Sequence, residues 1–307
     1  MEQLISVLQT ALPVFLALML GMLCRSKGFL SREGVDALKK VVLNITLPAV
    51  LFQAFATTQY TVDALILPVT MFGISCLALA LGFLITKLSG NQSRLSPFLA
   101  SGFEAGMLGY ALFALLFPRE SASRFAILDL GQTLFVFTLY KVLLSGKRDW
   151  RAIGRDMLTS PILWAVAAGV VTGASGLYQA LGSVSGILDS VAGFISAPTG
   201  MIILLTVGYD LVLGDIPWKK TAGAIAMRLG VMAVCLGVLL GLNRWVLGGA
   251  IFPGAAILMA LLPPPYVIPV FADEPAERVQ ISSALSALTL VTIVLFAIYS
   301  IILGVHG

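Results

Sequence analysis

Long apolar stretches separated by short polar ones run the whole length of this 307-residue chain. A helix needs about 20 predominantly apolar residues to cross the hydrocarbon core of a bilayer. Stretches of that order predict spans near 4–24, 38–57, 64–87, 97–117, 124–144, 160–181, 187–213, 219–247, 250–271 and 279–304. The runs are continuous rather than alternating, which predicts helices and not the strands of a barrel. The expected fold class is all-α integral membrane, with ten transmembrane helices.

Composition and charge agree with this pattern. Hydrophobic residues make up 59% of the chain and charged residues 11%, against about 25% charged in a soluble domain. Basic loops orient membrane proteins. With the N-terminus outside, fifteen of the nineteen Lys and Arg residues fall on the cytoplasmic side. Arg119, Arg124 and Arg244 fall outside, and Arg228 lies within the eighth span. The expectation is a multi-pass protein of the cytoplasmic (inner or plasma) membrane with both termini outside. Glu2 precedes the first apolar run and Arg25 and Lys27 follow it, the reverse of a cleavable signal.

Five is an odd number, so a duplicated five-span unit must insert its second copy upside down. Pro13 and Gly21 are eight residues apart, as are Pro161 and Gly169. Pro97 and Tyr110 match Pro253 and Tyr266 at a spacing of thirteen. Arg124 and Thr138 match Arg278 and Thr292 at fourteen, and Pro48 would pair with Pro198. The offsets lie between 148 and 156 and keep chain order. Two inverted five-helix repeats are a plan of secondary transporters, with the solute held near the midplane where the halves meet.

Two segments cannot be ordinary helices. The ninth span contains Pro263, Pro264, Pro265 and Pro269 around Tyr266. Each proline lacks an amide hydrogen and clashes with the carbonyl one turn earlier, and the freed carbonyls need partners other than lipid. Its counterpart, the fourth span, carries Gly102, Gly106 and Gly109 beside Glu104 and Tyr110. Glycines permit a non-helical crossing. A carboxylate at that depth is costly and marks a functional site by default. Glu104 and, in the fifth span, Asp129 are the candidates to carry a coupled proton or cation. Asp129 and Thr133 are one helical turn apart. Asn44, Thr46, Gln53, Gln132, Thr133 and Ser283, with Ser282, Ser286 and Thr289, are candidate cavity-lining residues. Asp210 reads as an interfacial carboxylate near Lys219 and Lys220.

Other chemistries find no support in the sequence. His306 is the only histidine, and Cys24, Cys76 and Cys235 are far apart in apolar surroundings. That leaves no metal set, no nucleophile–base pair and no phosphate-binding loop. An enzyme is disfavoured, no cofactor or metal is expected, and no basic stripe marks a nucleic-acid partner.

These residues resemble the auxin efflux carrier family, which includes plant auxin exporters and bacterial organic-acid permeases. The likeness is clearest from Val42 through Phe52, which contains Asn44, Thr46 and Pro48, and from Leu261 through Asp273 and Glu274. Pro198 and Val207 to Leu211 fit loosely. The resemblance implies a scaffold domain of residues 1–62 and 160–215 and a transport domain of residues 63–159 and 216–307. It implies a homodimer, broken crossing helices four and nine, and an elevator-like movement of a carboxylate-bearing solute. The family's fourth span usually has Asn, Gly, Gly and Pro where this chain has Glu104, Gly106, Gly109 and Ala111. A fixed acid there would repel an anion by roughly a few kcal/mol at intermediate dielectric, unless it is protonated or holds a cation. The sequence thus predicts a secondary transporter of a small organic acid or related metabolite. A sodium-coupled bile-acid-type symporter and a non-transporting membrane sensor of the same fold remain as alternatives.

Overall fold

The computed structural model describes residues 2–58, 60, 62–90, 93–145, 155, 158–211, 218–266, 268 and 275–306. Among these residues every element is helical and no strand occurs. In chain order, α1 is Glu2–Ser26 and α2 is Arg32–Val41, which runs through a wide π-helical turn, π1 (Val42–Thr46), into α3 (Leu47–Ala56). α4 is Val62–Leu88. α5 (Ser96–Leu99) stops short, and the chain is unwound until a second wide turn, π2 (Ala105–Gly109), and α6 (Tyr110–Leu116). α7 (Ser123–Phe135), π3 (Val136–Tyr140) and α8 (Lys141–Ser145) follow one another directly. Then come α9 (Pro161–Ala174), α10 (Leu177–Ala180), α11 (Ser183–Ser196), α12 (Thr199–Asp210), α13 (Trp218–Trp245), α14 (Pro253–Leu261) and α15 (Pro275–His306).

Among the described residues, five stretches are long and apolar enough to cross a membrane: 66–88, 123–144, 184–210, 221–245 and 279–303. Four of the expected segments are shorter or interrupted, two of them (97–117 and 250–271) where breaks were expected. Segment 38–57 is divided by π1, 97–117 is broken after Leu99, 160–181 changes direction at Gly176, and 250–271 loses its helix after Leu261. Proline and glycine chemistry accounts for most of this. Pro48 would clash with the carbonyl four residues back. The turn before it opens so that the Leu47 amide donates to Val42, five residues back. Pro161 sits at the first helical position of α9, where its missing amide costs nothing, and Ser160 caps the helix by accepting from the Leu163 amide.

α1 packs along α12 and α3 along α9. In both contacts a glycine lets backbones touch. A Cβ at Gly21 would lie 2.1 Å from the Leu205 carbonyl oxygen, and one at Gly169 would lie 2.8 Å from that of Phe52. Small residues drive helix association where lipid is the solvent. α4 packs on α7 and α13, and α13 also meets α14 and α15. Val69, Phe194 and Trp245 are largely exposed, a surface that suits lipid rather than water. The fully buried rings of Phe98, Phe135 and Tyr140 gather beside the first broken segment.

Candidate functional site

The unwound stretch after α5 and the one after α14 cross at the centre of the helical body. Gly102 makes the crossing possible. Its φ is +68°, a conformation in which only glycine is relaxed, and a Cβ there would press on the Pro265 ring at 2.9 Å.

Breaking two helices frees carbonyls that cannot be left bare in an apolar interior. Seven of them have partners here. Tyr140 donates its hydroxyl to Phe98 O at 3.0 Å, and Gln132 Nε2 donates to Phe103 O at 2.8 Å. Thr292 donates to Leu261 O at 2.7 Å, and the Glu104 amide donates to Pro263 O at 2.9 Å. Arg228 takes three, donating to Leu99 O at 3.3 Å, Gly102 O at 2.8 Å and Leu262 O at 2.7 Å. Its guanidinium also lies 5.6 Å from the centre of the Phe103 ring. The carbonyl ends of the helices flanking both breaks thus face one buried cation, the sign a helix C-terminus favours. Thr292→Val keeps the shape and removes one donor. It is expected to cost about 1–2 kcal/mol, read from the thermal midpoint of the purified protein; an unchanged midpoint would rule out the Leu261 bond as a stabilising contact.

Glu104 bridges the two segments a second time. Its carboxylate accepts the Tyr266 amide at 2.6 Å. Because Pro263, Pro264 and Pro265 carry no amide hydrogen, Tyr266 offers the first one after the break. The Tyr266 hydroxyl in turn pairs with Thr289 at 3.1 Å. The second acid, Asp129, is buried in α7 and accepts the Tyr110 hydroxyl at 3.0 Å.

Beside the crossing lies a cavity of about 700 Å³. Glu104, Gly106, Asp129, Gln132, Thr133, Pro265 and Tyr266 are in its wall, with Ser282, Ser286 and Thr289 of α15. Gly109 and Tyr110 stand behind the wall, Gly109 against Phe125 and Leu262. Pro263 and Pro264 are buried in the crossing itself. Four residues expected to line a cavity do not line this one. Asn44 turns outward and donates to Lys40 O at 2.7 Å. Gln53 reaches Asp189 at 3.1 Å. Thr46 is buried, and Ser283 lies one position off the face that presents Ser282 and Ser286. Pro269, Asp273 and Glu274 lie outside the described residues.

Three cations that sequence reasoning did not assign to a site, Arg32, Lys39 and Lys141, belong to the wall, together with Asp210. Asp210 pairs with Arg32 at 2.6 Å and with Lys39, not with the expected Lys219 and Lys220. The Arg32 side chain is 60% exposed, so this end of the cavity meets solvent. On the other side of Tyr110, the rings of Phe125, Phe113, Phe117 and Phe252 pack edge to face or tilted with centroids 5.0–6.3 Å apart. Beyond them is a smaller hollow of about 350 Å³ that touches Arg124, Leu128 and Phe252. Arg228 was the strongest signal left unassigned by the sequence. It is the only charge between Lys220 and Arg244, and an ionisable group inside an apolar helix asks for a partner.

A multi-pass helical body whose cavity, with charged side chains in a largely apolar wall, meets two broken, crossing segments is the architecture of a membrane transport protein. Comparison with known proteins agrees. Residues 6–153, which include the first crossing segment and both acids, match the family model described as membrane transport protein. A protein described as an uncharacterized transporter, from Methanothermobacter thermautotrophicus, is 27% identical over 210 residues, 66% of this chain and 67% of that protein. Over residues 6–153, just under half of its length, the chain is thus similar to this membrane transport family.

Proposed function

We propose that the protein is a secondary transporter that carries a small carboxylate-bearing solute or related metabolite across the cytoplasmic membrane by alternating access. The observation that carries the reading is the cavity of about 700 Å³ ending on two broken helices, the place where transporters of this plan hold their solute. The ten-span, inverted-repeat arrangement is part of the proposal. It is supported by the symmetry of the close contacts: α1 on α12 in one sense and α9 on α3 in the other, with Gly21 and Gly169 at matching places. In this arrangement spans one, two, six and seven form a dimeric scaffold and the remaining six an elevator-like transport domain. The basic rim of Arg32, Lys39 and Lys141 lies on the side that the charge bias assigns to the cytoplasm. The cavity then opens inward and the Phe113–Phe125–Phe252 cluster closes the outer path.

Glu104 is the proposed coupling group, with Asp129 as the second acid of the same wall. Glu104→Gln keeps an oxygen for the Tyr266 amide and removes the titration. Uptake into proteoliposomes by this variant is expected to lose its dependence on an imposed pH gradient while solute exchange continues. Unaltered pH-gradient-driven uptake would remove Glu104 from the mechanism. Sodium-dependent uptake at constant pH would favour the sodium-coupled reading instead.

A further inference from the structure

The charges around the cavity are balanced in number and separated in space. Three cations, Arg32, Lys39 and Lys141, face three acids, Glu104, Asp129 and Asp210. Arg32 and Lys39 sit toward the solvent-exposed end, where they hold Asp210, and the Lys141 ammonium lies 4.4 Å from the centre of the Phe137 ring. The other two acids lie at the inner end. Asp129 is 6% exposed, and Glu104 is tied to the crossing by the Tyr266 amide. Gln132 adds an acceptor beside them. It is 3% exposed, its nitrogen is committed to Phe103 O, and its oxygen has no hydrogen-bond partner among the described residues. A carbonyl accepts only, so the nitrogen must face it and the orphaned atom is the oxygen. Hydroxyls of Thr133, Ser286 and Thr289 complete the inner wall. The buried cation nearby among the described residues, Arg228, donates from both terminal nitrogens to main-chain carbonyls.

Such a wall repels a simple anion at its inner end and a simple cation at its mouth. From this segregation we infer that the solute is amphoteric: a small amino carboxylate whose ammonium group is taken by Glu104, Asp129 and the Gln132 oxygen while its carboxylate faces the basic rim. An ammonium carries three donors and no acceptor, which suits an inner end made of carboxylates and an acceptor without a donor. The inference rests on the reading of this cavity as the solute site and names the chemistry of that solute more narrowly.

Four four-carbon probes separate the possibilities: 4-aminobutyrate, succinate, butyrate and 1,4-diaminobutane. Each is titrated against the full-length purified protein while the thermal midpoint is followed, since stabilisation tracks occupancy of the folded state. The expected result is an apparent Kd for 4-aminobutyrate at least about 10-fold lower than for the other three. Glu104→Gln and Asp129→Asn should each narrow that ratio, and either variant suffices if the other does not fold. Succinate or butyrate binding as well as 4-aminobutyrate overturns the inference but leaves the carboxylate reading standing. Tightest binding of 1,4-diaminobutane overturns both. A preference for 4-aminobutyrate that persists in both variants overturns the role given to the two acids. No response to any amino carboxylate of three to six carbons overturns the inference outright.

Discussion

Arg228→Leu is expected to destabilise the protein by about 2–4 kcal/mol and to abolish transport. The reasoning starts from what the substitution strands. Leu99, Gly102 and Leu262 would each lose a charged donor now 2.7–3.3 Å away. A buried acceptor without a partner costs about 1–3 kcal/mol. Relief of the desolvation carried by a buried guanidinium offsets part of that sum, which brings the net figure down. Arg228→Lys separates charge from geometry. An ammonium keeps the positive potential but is a compact point charge on a flexible stem. It cannot fork to carbonyls on both broken segments, so an intermediate loss is expected. The order Leu, Lys, wild type in thermal midpoint, and in protection of the Glu104 and Tyr266 amides from hydrogen exchange, checks the account. A wild-type midpoint for Arg228→Leu would sink it.

Gly208→Val is expected to prevent assembly of the protein. A Cβ at Gly208 would lie 2.2 Å from the Leu18 carbonyl oxygen and 2.6 Å from the Leu18 Cα. Both are backbone atoms of α1, so no rotamer change relieves the clash, and the two helices must part along a contact that also uses Gly21. Overpacking of a tight core costs about 1–3 kcal/mol when side chains can adjust, and more is expected where they cannot. The control is Gly230→Ala in α13. It meets nothing within 4 Å and should change the midpoint by no more than about 1 kcal/mol in equivalent stability. Size-exclusion profiles of membranes solubilised in parallel distinguish the two. Equal yields of monodisperse Gly208→Val and Gly230→Ala protein would show that α1 and α12 do not need their close approach.

The interruptions of the fold were readable from the sequence because they rest on local chemistry. Pro263 to Pro265 break a helix whatever surrounds them, and Gly102 is the residue that an unwound turn with φ +68° demands. The acids were readable because carboxylates are rare inside apolar helices. What was not readable was direction. In a chain whose helices face lipid on one side and protein on the other, both faces are apolar, and periodicity does not say which is inward. Asn44 was therefore assigned to a cavity, yet it turns outward within π1. Ser282 and Ser286 line the wall where Ser283 was named. Arg228 stood out as a charge, but its partners are main-chain carbonyls 126 and 34 residues away, and no residue type announces them. The same holds for Asp210, whose cations come from α2 rather than from the nearer Lys219 and Lys220.

The three wide turns have a consequence for how such a wall can be altered. Leu43 of π1, Ala105 and Gly106 of π2, and Val136 and Phe137 of π3 all face the cavity. A π-turn is an α-turn that holds one residue too many. A chain shorter by one residue at any of them could close into regular α-helix without losing its ladder of hydrogen bonds. Everything on one side of the deletion would then swing by about 100° relative to the other, and a new set of side chains would meet the solute. The wall can therefore be rewritten by length instead of by substitution, with insertion and deletion rather than point mutation as the unit of change.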